Sequence, residues 1–123
     1  MKYSMIKHQQ LFMMEYFKLL ADYVPGDITL NQLRIIEYIS LRCLDDGPGT
    51  THTEICQALE MNKTTVTRTV ARFVATGIIS QKSSSADGRR QILIMSPEYP
   101  RKGTLDQKVG RLAARYFGQS SAT

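Results

Sequence analysis

Two helix-start signals, eleven residues apart, constrain the middle of the chain. The first is Thr51-His52-Thr53-Glu54, a capping-box pattern whose hydroxyl and carboxylate can pair with backbone N–H groups. The second is Asn62, a favourable N-cap residue, and the helix it starts meets no Gly or Pro before Gly77. Between them there is room only for a short helix, with Ile55, Ala58 and Leu59 inward, and a tight turn. The segment therefore predicts a helix-turn-helix.

Beyond Gly77 the apolar period changes from helical to strand-like. Residues 78–82 and 90–95 indicate two short strands, and the small polar residues 83–88 between them suit a hairpin turn. Helix, turn, helix and hairpin in this order are typical of winged helices that read duplex DNA. A helix fits the major groove, and a flanking hairpin can contact the backbone.

The rest of the chain predicts three more helices. Residues 4–23 contain no Gly or Pro, Thr29 can cap a second helix that reaches Cys43, and a last helix spans about 105–117. The apolar residues at helical spacing in the second and last helices are Leu30, Leu33, Ile36, Leu41, Leu105, Val109, Leu112 and Tyr116. We expect a mainly α fold with a small β-hairpin, in a single domain over residues 1–123 whose winged helix-turn-helix core spans 29–95.

The first helix is apolar on two neighbouring faces. One face holds Phe12, Tyr16, Leu19 and Tyr23, and the next holds Met13, Phe17 and Leu20. Because one face is enough to serve the core, the other needs a partner. We expect residues 4–24 and 104–117 to be the dimerisation helices of a homodimer.

Positive charge is concentrated from Lys63 onward. The formal charge is −3 over residues 1–60, +5 over 61–90 and +3 over 91–123, which favours a polyanionic partner. At 100° per residue, the helix after Asn62 has valines and Phe73 on one side and threonines and arginines on the other. Short threonines let a helix lie deep in the major groove, and an arginine can fork onto a guanine or a phosphate. The predicted DNA-binding residues of this helix are Lys63, Thr64, Thr65, Thr67, Arg68 and Arg72.

Cations also flank the predicted hairpin tip. Lys82, Arg89 and Arg90 are placed where they could follow the phosphates or enter a minor groove, and they complete the predicted DNA-binding set. Asp87 is expected to cap the turn or to hold a neighbouring arginine. For both groups of cations the alternative is a solvated basic surface without a partner.

Several motifs between residues 53 and 89 together resemble those of a known protein family. The motifs are Thr53-Glu54-Ile55-Cys56-Gln57-Ala58-Leu59, the run from Lys63 to Phe73, Thr76-Gly77-Ile78-Ile79 and Asp87-Gly88-Arg89. In these motifs the sequence resembles the MarR family of bacterial winged-helix transcription regulators. The resemblance implies a dimer with intertwined N- and C-terminal helices and recognition helices in successive major grooves. It also implies that residues 64 to 68 read the groove and that Arg89 enters the minor groove.

The sequence offers little for enzyme chemistry, and we expect neither enzyme activity nor a cofactor. It has two histidines and neither a Gly-rich phosphate loop nor a GxSxG motif. His52 and Cys56 lie four residues apart and could supply only two ligands, so no metal site is predicted. With two cysteines and no long apolar stretch, the protein is expected to be cytoplasmic, neither exported nor inserted into a membrane.

Three functions are compatible with these patterns. The leading prediction is a homodimeric, sequence-specific double-stranded-DNA-binding transcription regulator that acts on a pseudo-palindromic site. A winged helix can also be a protein-interaction module, with the apolar first helix as its docking surface. A plasmid or phage replication or partition factor would bind DNA too, but with other partners. Nothing in the sequence supports a small-molecule effector.

Overall fold

The computed structural model describes residues 3–83, 91–98 and 105–118 of the chain. Its elements are α1 (Tyr3–Tyr23), α2 (Leu30–Arg42), a short 3-10 helix (Leu44–Asp46), α3 (His52–Leu59), α4 (Lys63–Ala75), β1 (Ile79–Ser83), β2 (Gln91–Met95) and α5 (Leu105–Phe117). This order confirms the expected mainly α fold with a small β-hairpin. The chain separates into two compact units, one of Met1–Ile28 with Pro100–Thr123 and one of Thr29–Tyr99.

In the unit Thr29–Tyr99, the core lies where α2, α3, α4 and the hairpin meet. Its buried apolar residues are Ile35, Ile39, Ile55, Val66, Val70, Phe73, Ile79 and Leu93. On α2 the buried pair is Ile35 and Ile39, whereas Leu30 and Leu41 of the repeat seen in the sequence are 72% and 61% exposed. The apolar repeat predicts the helix correctly, but α2 packs on α3, α4 and β2 through the side that carries Ile35 and Ile39.

A capping box starts α2. Thr29 Oγ1 accepts a hydrogen bond from Gln32 N at 3.1 Å, and Gln32 Oε1 accepts one from Thr29 N at 3.0 Å. These bonds satisfy backbone N–H groups that the first turn of a helix leaves unpaired. The expected cap at Thr29 is therefore confirmed, with Gln32 as its reciprocal partner.

The two strands form the expected hairpin and are joined by a third segment that the sequence does not reveal. β1 and β2 pair antiparallel, with Ile79 opposite Met95 and Lys82 opposite Ile92. On the other side of β2, Thr50 N donates to Leu93 O at 3.1 Å and Leu93 N donates to Thr50 O at 2.7 Å. The residue that leads into α3 is thus hydrogen-bonded to the middle of the hairpin.

Gly49 allows this close pairing. Its φ is +82°, in the region that L side chains rarely adopt, and a Cβ here would lie 2.6 Å from Leu93 O and 2.8 Å from Ile94 Cγ2. Both the backbone conformation and the approach of β2 therefore require glycine.

In the other unit, α1 and α5 pack side by side in opposite directions. Phe12 of α1 meets Phe117 at the end of α5, with ring centroids 4.9 Å apart. Tyr23 ends α1, and its ring centroid lies 5.5 Å from Lys108 Nζ near the start of α5. Leu112 of α5 is almost fully buried.

A polar cluster ties the same two helices together. Glu15 of α1 accepts hydrogen bonds from Arg115 Nη1, at 2.8 Å, and from the Tyr116 hydroxyl of α5. The Tyr116 bond, and to a smaller extent Arg115, hold the pKa of the Glu15 carboxyl below its ordinary value of 4.5.

Much of the apolar surface of α1 is exposed. Met14 is 64% exposed, Phe17 is 56% exposed, and Ile6 and Met13 are exposed as well. Phe17 and Met13 belong to the second apolar face that the sequence predicts. Several large apolar side chains exposed on one helix are typical of a protein–protein contact.

Candidate nucleic-acid interface

The start of α3 is fixed by three hydrogen bonds of Glu54, two of which its carboxylate accepts. Thr51 Oγ1 accepts from Glu54 N at 3.1 Å, and Glu54 Oε1 accepts from Thr51 N at 3.1 Å, which confirms the predicted capping box. Glu54 Oε1 also accepts from Thr50 Oγ1 at 2.9 Å. The residue that pairs with the hairpin and the first turn of α3 therefore share one carboxylate.

A turn of two residues joins α3 to the N-cap of α4. Glu60 ends α3 in the left-handed region, with φ 55° and ψ 51°, and Met61 N donates to Cys56 O at 3.1 Å. Asn62 then caps α4, since its Oδ1 accepts from Thr65 N at 2.8 Å. The turn is too short to let the two helices vary independently.

One face of α4 anchors the helix in the core. Val66, Val70 and Phe73 are buried there, as the sequence predicts, and Thr69 beside them is only 3% exposed. On α3, Ile55 is fully buried, but Ala58 is exposed and Leu59 only half-buried, so the predicted inward position of Ala58 is wrong. Ala58 lies two residues before Glu60, where α3 ends.

The opposite face of α4 presents threonines and cations to solvent. Lys63, Thr64, Thr67 and Arg68 are exposed, whereas Thr65 is half-buried and its N–H is used by the Asn62 cap. Among the described residues, Arg68 has no hydrogen-bonding or ion-pair partner. Within that part of the chain, no side chain or carbonyl group competes for this guanidinium.

Arg72 occupies a different environment from Arg68, one turn earlier. It is half-buried, and its Nη1 lies 3.5 Å from Gln32 Oε1 in the first turn of α2. The structure thus separates two arginines that the sequence groups together. Arg68 is exposed to solvent, while Arg72 is half-buried and links α4 to α2.

Of the three cations predicted in the wing, the structure describes one. Lys82 is exposed on β1, next to the end of the strand. Arg89 and Arg90 lie outside the described residues. The role of the wing remains a prediction from the sequence.

His52, in the first turn of α3, is electrostatically coupled to Lys63 in the first turn of α4. The pKa of His52 is lowered from its ordinary value of 6.5, chiefly because burial disfavours the imidazolium and also because of the Lys63 charge. His52 and Lys63, in the first turns of neighbouring helices, therefore lie close enough for their charges to interact.

Replacing His52 with Gln should flatten the acid dependence of stability. Because protonation of His52 is less favourable in the folded chain than in the unfolded chain, its contribution is present above about pH 6.5 and lost as the pH falls below that value. Urea unfolding at about pH 7.5 and about pH 5.5 measures the effect. The His8→Gln variant is the control, since it leaves His52 in place. An equal acid-induced loss of stability in His52→Gln and wild type would contradict the assignment.

The described part of the chain contains neither a cluster of metal-binding side chains nor a helix that could span a membrane. Within residues 3–83, 91–98 and 105–118, no group of three or more His, Cys, Asp or Glu side chains could hold a metal ion. Cys43 and Cys56 are half-buried free thiols. No helix in these ranges is long and apolar enough to cross a membrane.

Solved structures with the same fold include several transcriptional regulators. A mutant of MepR from Staphylococcus aureus, bound to an oligodeoxyribonucleotide, is 21% identical with a TM-score of 0.59, covering 95% of this chain and 77% of that one. A transcriptional regulator from Thermotoga maritima is 24% identical with a TM-score of 0.56, covering 93% and 71%. PcaV from Streptomyces coelicolor, in complex with its natural ligand, is 18% identical with a TM-score of 0.50, covering 88% and 67%. No curated protein matches this sequence.

The MarR family model matches residues 27–90, which is more than half of the chain. The matched segment runs from the residues before α2 to the residue before β2, and so contains α3, its turn and α4. The chain belongs to the MarR family of transcription regulators.

Proposed function

We propose that the protein is a homodimeric transcription regulator that binds double-stranded DNA sequence-specifically in the cytoplasm. The observation that carries this proposal is the exposed face of α4, where Arg68 is unpartnered within the described residues while the opposite face is buried in the core. Membership of the MarR family supports it. The oligodeoxyribonucleotide bound to MepR, which has the same fold, supports it as well.

The geometry of α4 suits the major groove. Its thirteen residues span about 20 Å, and a groove about 12 Å wide admits a helix of this kind. Thr64 and Thr67 are small enough to let the backbone approach the bases, and Arg68 can donate two parallel hydrogen bonds to a guanine. Lys63, in the first turn, adds a charge where a helix N-terminus already favours a phosphate.

The remaining predicted contacts position the protein on the duplex. Lys63 and the wing cations Lys82, Arg89 and Arg90 contribute phosphate contacts, which supply affinity but little sequence information. Thr64, Thr65, Thr67 and Arg68 supply the discrimination between sequences. Arg72, held near Gln32, contributes at the edge of the interface.

Dimerisation places two copies of α4 on one face of the duplex. The exposed apolar surface of α1, with Phe17 and Met14, is the surface that a second copy of the chain would cover. A two-fold dimer would set half-sites about 34 Å apart, one helical turn of DNA, on a pseudo-palindromic site.

Replacing Phe17 with Glu should weaken self-association by at least about tenfold, because burying the new carboxylate in the contact is costly. Sedimentation equilibrium at micromolar concentration measures the dissociation constant. Leu30→Glu is the matched control, since Leu30 is a more exposed apolar residue in the other unit, and it should sediment like wild type. A monomeric wild-type protein, or a Phe17→Glu variant that associates normally, would contradict the proposed contact.

Selection of bound duplexes from a random-sequence library tests the proposed function directly. A sequence reader enriches a pseudo-palindromic motif, and its affinity falls steeply with salt because phosphate contacts release counterions. A nonspecific DNA binder shows the salt dependence without the motif. A protein-interaction module retains no duplex even at low salt, and this result would overturn the proposal.

A further inference from the structure

We infer that Arg34 of α2 is a positioning residue for sequence recognition, which acts by holding the turn between α3 and α4. Its guanidinium forms hydrogen bonds with Asn31, three residues before it, and with Leu59, 25 residues after it, and neither partner belongs to the exposed face of α4. The inference rests on the proposed function, and it concerns how the recognition helix is oriented rather than which residues touch DNA.

Arg34 holds the carboxyl end of α3. Its Nη2 donates to Leu59 O at 3.1 Å, and Leu59 is the last residue of the helix. Carbonyl groups in the last turn of a helix have no partner within the helix, and they carry the negative end of its dipole. A guanidinium at this point therefore makes a charge-assisted bond with a carbonyl that the helix itself leaves unpaired.

A second bond fixes the direction of the guanidinium. Arg34 Nη1 donates to Asn31 Oδ1 at 3.1 Å, one turn earlier on α2. Because an arginine side chain has many rotamers, this bond reduces the entropy that the contact with Leu59 would otherwise cost. Asn31 and Arg34 thus work together as a preformed clamp.

The clamp lies next to Glu60, whose backbone conformation is unfavourable for a residue with a side chain. Glu60 follows Leu59 directly and is left-handed, with φ 55°, although it is not glycine. Such a residue persists only where its surroundings determine the conformation. Two residues later Asn62 caps α4, so a change at Glu60 would shift the first turn of α4, where Lys63 and Thr64 lie.

The same first turn of α2 also contacts α4 itself. Gln32, between Asn31 and Arg34, lies 3.5 Å from Arg72 Nη1 through its Oε1. One turn of α2 therefore holds the turn before α4 through Arg34 and the body of α4 through Gln32. Its position is in turn set by the Thr29 capping box.

The test compares Arg34→Ala with wild type on the selected duplex and on a scrambled duplex of equal length. We expect the ratio of the affinity for the selected duplex to that for the scrambled duplex to fall about tenfold, because one charge-assisted hydrogen bond is lost. The affinity for the scrambled duplex and the salt slope should stay unchanged. Arg34→Lys should give an intermediate ratio, because one ammonium can reach Leu59 but lacks the planar fork. Arg111→Ala removes the same charge from an exposed position of α5 and should leave the ratio intact.

The results that would overturn the inference differ from the result that would overturn the proposed function. An unchanged ratio in Arg34→Ala shows that the turn does not need the clamp. A salt slope reduced by about one unit shows that Arg34 contacts a phosphate directly. If Arg34→Ala fails to fold, Asn31→Ala, which leaves the charge in place, must still lower the ratio. A wild-type protein with no preference between the duplexes overturns the proposed function instead.

Discussion

Replacing Arg68 with alanine is expected to weaken binding to the selected duplex by about 1–3 kcal/mol, roughly 5- to 150-fold. Arg68 is exposed on α4 and has no partner within the described residues, so its removal should cost the folded protein little. The loss falls on the complex, where a bidentate contact to a guanine would be missing. Fluorescence anisotropy on the selected duplex and on single-base variants of it measures both the affinity and the specificity.

Arg68→Lys is the matched variant for this prediction. Lysine keeps the charge but not the planar fork, so it should bind scrambled DNA like wild type and yet discriminate less well between sequences. An equal loss on selected and scrambled duplexes in Arg68→Ala would reassign Arg68 to a phosphate. No loss on either duplex would show that the exposed face of α4 is not the interface.

Replacing Gly49 with alanine should lower the free energy of unfolding by about 3 kcal/mol, through a forced left-handed conformation and a steric clash. The new Cβ would lie 2.6 Å from Leu93 O, which is backbone and hydrogen-bonded to Thr50, so the clash cannot be relieved by rotating a side chain. Urea unfolding gives the change in free energy.

Gly77→Ala separates the two causes. Gly77 follows α4 with a φ of +81°, close to that of Gly49, but nothing lies within 4 Å of its Cβ position. This variant should lose only about 1 kcal/mol, the cost of the backbone conformation. Equal losses at the two glycines would show that the approach of β2 to Gly49 is not a significant constraint.

The features of α4 could be predicted from sequence because they are local. The cap at Asn62, the buried side with Val66 and Val70, and the end at Gly77 follow from residue type and helical period alone. The same holds for the capping box of Thr51 and Glu54. Each of these features involves residues no more than one or two turns apart.

Features that depend on distant segments could not be predicted in this way. Burial of Ile35 rather than Leu30 depends on which side of α2 meets β2, and the Thr50 bridge joins residues 43 positions apart. The contact between Arg34 and Leu59 has no local signal in the sequence either, because the two residues are 25 positions apart. The pairing of Gln32 with Thr29, by contrast, is a readable capping-box pattern.

The Thr50 bridge lies on one side of β2 and β1 on the other, so the outer edge of β1 has no strand beside it in the described part of the chain. An open edge can recruit a strand from another molecule and so start aggregation. Here the edge is only five residues long, and Gln81 and Lys82 are exposed on it. Lys82 therefore opposes the addition of a foreign strand at this edge, a role separate from its proposed contact with DNA.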